Sequence, residues 1–187
     1  MKTAILSVRG FPVRGASLVS LLAAALLFSA CSPTLDWREA RPEGGYLTVL
    51  LPCKPERLSR DLVLGEGPPR RIELLACTAG GTTWGITSAA VEGDADRRAA
   101  LRALRAARLR NLEGRELEPV PLRMPGIAPD PDALRLTVVG RHPDGSEIVE
   151  RAALFAHGGR VFHAAALGGE PTAMALETFF EGLKAQH

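Results

Sequence analysis

The chain has 187 residues and a formal charge of +2, from 23 basic and 21 acidic side chains, a length that suits one ordinary domain with its own core. The basic excess sits in the leader: without Lys2, Arg9 and Arg14 the balance is 20 basic to 21 acidic, or −1. A globally basic nucleic-acid binder is therefore not indicated, and the preference for Arg over Lys, beside much Ala and Gly, reads as a GC-rich coding sequence.

Residues 1–30 read as an export signal. Lys2, Arg9 and Arg14 precede an almost wholly apolar run over residues 16–30, and no acidic residue occurs before Asp36. That run is about fifteen residues, short of the roughly twenty a spanning helix needs, with no basic stop-transfer cluster behind it. Ser29 and Ala30 are small residues directly ahead of Cys31, and the stretch Leu27-Phe28-Ser29-Ala30-Cys31 resembles the lipobox of bacterial lipoprotein precursors. The resemblance implies cleavage before Cys31 and lipidation of its thiol, with acyl chains enough for stable anchoring. Ser32 in place of Asp implies no inner-membrane retention. The expected address is the outer membrane facing the periplasm, with secretion or inner-membrane attachment as alternatives. The expected organisation is a signal peptide (1–30), a lipidated tether (31–45) and one periplasmic domain (46–187).

With Cys31 lipidated, Cys53 and Cys77 remain, an even number in an oxidising compartment. A disulfide between them closes a loop of about 25 residues, worth roughly 3.5 kcal/mol by chain-entropy arithmetic. The alternative is two buried free thiols packing as small hydrophobes. In the tether, Trp37 suggests that part of the segment packs against the domain.

Strands are expected at 46–51, stopped by Pro52, at 60–65, at 70–78 and at 82–91, with turns at 65–69 and at Gly80-Gly81. The period then changes to that of a helix over about 94–112, capped by Asp94 or Asp96, with Ala100, Leu101, Leu104 and Ala107 facing inward. Residues 115–133 carry five prolines and are expected to be largely irregular, a candidate functional loop. Strands return at 134–141, 147–156 and 160–167, with Gly158-Gly159 as a two-residue hairpin turn. A last helix over 172–185 presents Met174, Leu176, Phe179, Phe180 and Leu183.

This order predicts an α+β fold, an antiparallel sheet of about six to seven strands with two helices packed on it. The opening strand running into Leu51-Pro52-Cys53-Lys54-Pro55 and the closing Phe179-Phe180-Glu181-Gly182-Leu183-Lys184 are similar to the PsbP/Mog1-like α/β sandwich. There the closing segment usually has Ser where this chain has Gly182. The resemblance implies an architecture and not a particular function, because that fold hosts unrelated binding and assembly roles.

No constellation in the sequence reaches a catalytic signature. No two of His142, His157 and His163 share the i, i+4 spacing of a helical metal-ligand pair, so neither metal nor cofactor is expected. Across the 158–159 turn, His157 should face Arg160 and His163 should face Leu154. There is no Gly-x-Ser-x-Gly elbow, and Glu147 and Glu150 fall on opposite faces of one strand. The Gly-rich stretch 80–85 lacks the Lys and following helix of a phosphate loop. The helix bearing Arg97, Arg98, Arg102, Arg105, Arg108 and Arg110 offers a basic face, and Arg98, Arg102 and Arg105 are the candidate contacts to an anionic surface. The expectation is a non-enzymatic envelope lipoprotein that binds an unidentified envelope protein or anionic lipid, with a hydrolase of envelope polymers as the alternative.

Overall fold

Glycine pairs turn the chain back on itself. Gly158 and Gly159 have φ of +55° and +69°, the left-handed backbone that a two-residue hairpin turn requires. They join β8 (Glu147–His157) to β9 (Arg160–Leu167), and Gly80-Gly81 likewise joins β4 (Pro69–Ala79) to β5 (Thr82–Ala90). The computed structural model describes residues 34–186. Their other elements are β1 (Arg38–Ala40), β2 (Leu47–Leu51), β3 (Glu56–Val63), α1 (Gly93–Asn111), β6 (Arg115–Pro121), β7 (Leu134–Arg141), α2 (Ala173–Glu181) and β10 (Lys184–Ala185).

Seven strands form one antiparallel sheet in the order β3-β4-β5-β9-β8-β7-β6, and β1, β2 and β10 form a second, three-stranded sheet. The class is α+β. The described residues form ten strands in two sheets, which corrects the expected single sheet of six to seven: β2, expected in that sheet, belongs to the small one, and β6 takes a place at the edge of the large one. The additions are local: β1 lies in the expected tether, and β10 takes the end of the helix expected over 172–185, which stops at Glu181 before Gly182. The third, β6, occupies part of the stretch expected to be irregular.

β6 forms despite Pro119 and Pro121. It is the terminal strand of the sheet, so one side of its backbone needs no partner, and its pairing with β7 shifts register between Leu117 and Val120, around Pro119. Edges and bulges are where sheets accept proline. The irregular loop is shorter than expected, running only from 122 to 133.

Both faces of the main sheet are covered, and the burial of β9 records it: every residue from Val161 to Ala166 is buried. Such continuous burial is the mark of a strand with packing on two sides. On one face α1 places Ala100, Leu101 and Leu104 against Leu136, Val138, Ala152, Leu154 and Val161. On the other, β2 and α2 bring Leu47, Val49, Phe179 and Phe180 against Trp84, Phe155 and Phe162. Trp84 meets Phe179 edge-on at 5.3 Å between centroids, and Trp37 meets Trp84 at 6.1 Å. Trp37 thus seats the segment ahead of β1, as its apolar ring demands.

The helix ends differ from expectation in detail. Glu92 is the N-cap of α1 and has no side-chain cap bond, while Asp96 reaches back to accept from Glu92 N at 2.9 Å. Arg70 forks onto the same carboxylate at 2.8 and 2.9 Å, which holds the Asp96 carboxyl below the usual range. In α2, Thr172 caps Ala175 N, and Ala175 takes the inward position. Met174, expected on the apolar face, is 76% exposed. Gly182 has a packing reason: a Cβ there would lie 2.7 Å from the Cβ of Leu50 on β2. Serine would force the helix end away from the small sheet.

Candidate ligand groove

The loop over 122–133 is fastened at both ends. Leu122 N donates to Ala133 O at 2.9 Å, and Asp130 folds into a local turn, accepting from Asp132 N at 2.9 Å. From the α1 side, Arg97 pairs with Asp130, and Arg102 reaches Asp132 at 3.8 Å. From below, Leu122, Met124 and Ile127 pack on the core that α2 covers. The loop therefore caps one end of the sheet, its carboxylates turned to α1 and its apolar side chains turned to α2.

Between this loop and α2 runs an apolar groove. One recess of about 590 Å³ is walled by Pro121, Leu122, Met124, Phe180 and Leu183. It adjoins a narrower cleft of about 210 Å³ that shares Arg135 and Phe180 and adds Val120, Thr137, Arg151 and Leu176. On its other side a recess of about 560 Å³ continues along the loop past Met124 to Ile127.

The narrow cleft holds the charge. Arg135 and Thr137 on β7 and Arg151 on β8 point to the α2 face, since Thr137 is the partner of Arg151 and Arg135 that of Ala153 in the β7–β8 register. The Arg135 guanidinium stacks on the Phe180 ring at 4.1 Å. Arg135 is exposed as a residue, and partial desolvation of its guanidinium draws its pKa below the ordinary arginine value, with no carboxylate opposing the shift. Arg151 Nη1 is buried without a hydrogen-bond partner among the described residues. Neither arginine is in an ion pair there, in contrast to Arg57, Arg70, Arg97, Arg105 and Arg108.

A second polar group lies on the opposite face. Glu150 is 1% exposed and His163 6%. Arg108 of α1 donates from Nε to Glu150 Oε2 at 3.0 Å and places Nη2 2.7 Å from Oε1, while His163 Nε2 stands 3.5 Å from Oε1. Burial lowers the His163 pKa to about 4, Glu150 pulling it up and Arg108 pushing it down. The imidazole is neutral at neutral pH.

Cys31 and its leader lie outside the described residues. Cys53 and Cys77 form a disulfide with a Cα separation of 5.9 Å. Arg98 is exposed and Arg102 is exposed beside Asp132. Arg105, expected as a free surface contact, is instead forked onto Glu116 of β6 through Nε and Nη2, a bond that raises its pKa. His157 and His163 face Arg160 and Leu154 as the turn requires, and His157 Nε2 lies 2.9 Å from Gln186 O. No cluster of three or more His, Cys, Asp and Glu suited to a metal occurs among the described residues, and no helix there is long and apolar enough to cross a membrane.

Sequence reading passed over Arg135 and Arg151. The signal was present in the alternation of β7, where Arg135 and Thr137 interleave with Leu134, Leu136 and Val138, and in a lone arginine inside the strand Ile148 to Ala156. What singles them out is that the fold brings both into one cleft with no ion pair to either among the described residues.

No family model matches the chain, and no curated protein matches it. It is similar to a solved structure from Bacteroides thetaiotaomicron VPI-5482, with 12% identity and a TM-score of 0.41 over 82% of this chain, and it spans 50% of that one.

Proposed function

We propose that the mature protein is a non-catalytic binding module of the bacterial envelope, exported by residues 1–30 and anchored by lipid on Cys31 at the periplasmic side of the outer membrane. Its ligand site is the groove between the 122–133 loop and α2. The observation that carries this reading is a preformed, largely apolar channel leading to two arginines that are in no ion pair among the described residues. Ligand sites combine apolar walls with a few placed polar groups in this way. Membership of the PsbP/Mog1-like sandwich is part of the proposal, supported by helices packed on opposite faces of an antiparallel sheet.

The alternative of a hydrolase would look to Glu150 and His163, whose carboxylate and imidazole are near each other. Their burial beneath α1 and the tie of Glu150 to Arg108 favour a structural role, because a general acid or base must reach substrate.

Two measurements test the reading. Mass spectrometry of the mature N-terminus should show an acylated Cys31 without residues 1–30, and Cys31→Ser should leave the membrane fraction. Unchanged processing and membrane retention of that variant would refute the anchor. A photo-crosslinking side chain at Val120, exposed on the rim of the narrow cleft, should capture a ligand or partner in intact cells, whereas one at the distant exposed Arg60 should not. Equal capture from both sites, or none from Val120, would refute the groove.

A further inference from the structure

The narrow cleft is built for an oxyanion. Arg135 and Arg151 are diagonal neighbours on β7 and β8, a spacing of roughly 7–8 Å between backbone positions that long side chains readily bridge. Thr137 stands directly across from Arg151 and adds a hydroxyl to the lining of the same cleft. The Arg135 plane is set by its stack on Phe180, so its fork is pre-oriented. A buried guanidinium nitrogen without an acceptor, as at Arg151 Nη1, is costly unless something supplies one. Among the described residues no acid does so: Glu150 points to the α1 face and is taken by Arg108, Glu116 is taken by Arg105, and Glu181, which lines the wider recess together with Arg135, is in no ion pair there.

The cleft opens onto a wider recess in which Arg123 and Glu181 stand among mostly apolar side chains. Beyond Arg135 and Phe180 the groove continues past Leu122, Met124 and Leu183 to Ile127. A small inorganic anion would leave those apolar side chains exposed to water, and a neutral chain would leave both arginines without partners. One molecule satisfies both halves when an oxyanion head is joined to an apolar chain.

We propose that the groove binds an anionic amphiphile, its carboxylate or phosphate head held by Arg135, Arg151 and Thr137 and its acyl chain laid along the 122–133 loop. This rests on the groove being the ligand site and adds the chemistry of the ligand. Carboxylate and phosphate share the recognition; a planar carboxylate takes one guanidinium fork, and a phosphate offers an oxygen to each.

The test uses the Cys31→Ser chain, whose own lipid cannot compete, and calorimetric titration with dodecanoate, dodecyl phosphate, dodecanol and inorganic phosphate below micellar concentrations. At least one of the two anionic amphiphiles should bind ten-fold or more tightly than dodecanol, and inorganic phosphate should bind far more weakly than either. The preferred head names the source, a free fatty acid or a phospholipid. Arg151→Gln and Arg135→Gln should each weaken the anionic probe about ten-fold, the order expected for a lost charge-assisted bond, and leave dodecanol unchanged. Arg98→Gln, away from the groove, should change nothing. Dodecanol binding as tightly as dodecanoate and dodecyl phosphate, or arginine variants that bind like the parent, would overturn the inference. If none of the four probes binds while Val120 still captures a partner in cells, the amphiphile is refuted and the groove as binding site stands.

Discussion

His163 shows how one side chain can take its properties from residues distant in sequence. Facing Leu154 in the β8–β9 register and lying beneath α1, it loses water and has its pKa lowered to about 4, against 6.5 for the unburied ring. The folded chain therefore resists the proton that the unfolded chain accepts. Between pH 6.5 and 4 the unfolded state holds more protons, so stability falls as pH falls through that window and is undiminished above it. The slope is at most about 1.4 kcal/mol per pH unit, and the loss is roughly 3 kcal/mol by pH 4. Glu150 and Arg108 are the charged groups facing the ring. Urea midpoints at pH 7.5, 5.5 and 4.5 should drop more steeply for the parent than for His163→Gln. Parallel curves for the two proteins would show that His163 takes up its proton without cost.

At the scale of elements, α1 acts as a clamp. Arg97, Arg105 and Arg108 lie four residues from Leu101 or Leu104 and so flank the inward stripe, while Arg98, Arg102 and Arg110 are exposed. In the fold, Arg97 and Arg102 reach the 122–133 loop, Arg105 reaches β6 and Arg108 reaches β8. Asp130 is almost wholly buried, so Arg97→Gln leaves a carboxylate without its cation, and such a loss costs roughly 2 kcal/mol or more. Limited proteolysis within 122–133 should accelerate alongside the fall in the urea midpoint. Arg98→Gln, on an exposed position, should shift stability by only about 0.5 kcal/mol in either direction. Equal effects of the two changes would refute the clamp. The edge strands are guarded in different ways. β3 is exposed throughout and carries Glu56, Arg57, Arg60 and Asp61, while β6 carries its prolines and a register shift.

Across the whole molecule, the disulfide joins the two sheets. Cys53 follows β2 of the small sheet and Cys77 lies within β4 of the large one, opposite Trp84. Replacing both cysteines by Ala should cost about 3 kcal/mol and lower the melting temperature by roughly 6–12 °C for a domain of this size. Scanning calorimetry would read the shift, and a change of less than a degree would mean that the aromatic packing around Trp84 suffices to hold the sheets together.

The features legible before folding are those whose causes act within a few residues. Glycine pairs mark hairpins because the left-handed backbone is a local requirement. Alternation and 3.6-residue periodicity place β7, β8, β9 and α1 within a residue or two, because each element must turn an apolar face to some core. The parity of the cysteines pointed to Cys53 and Cys77 without geometry. Tertiary structure decided the rest. Proline argues against a strand locally, yet β6 forms because an edge needs pairing on one side only. A basic helix is only a charge pattern until loops bring Asp130, Asp132 and Glu116 within reach of it. Arg135 and Arg151 differ from the paired arginines in having no ion pair among the described residues, since partnership between charges is set by distances in space that spacing along the chain does not record.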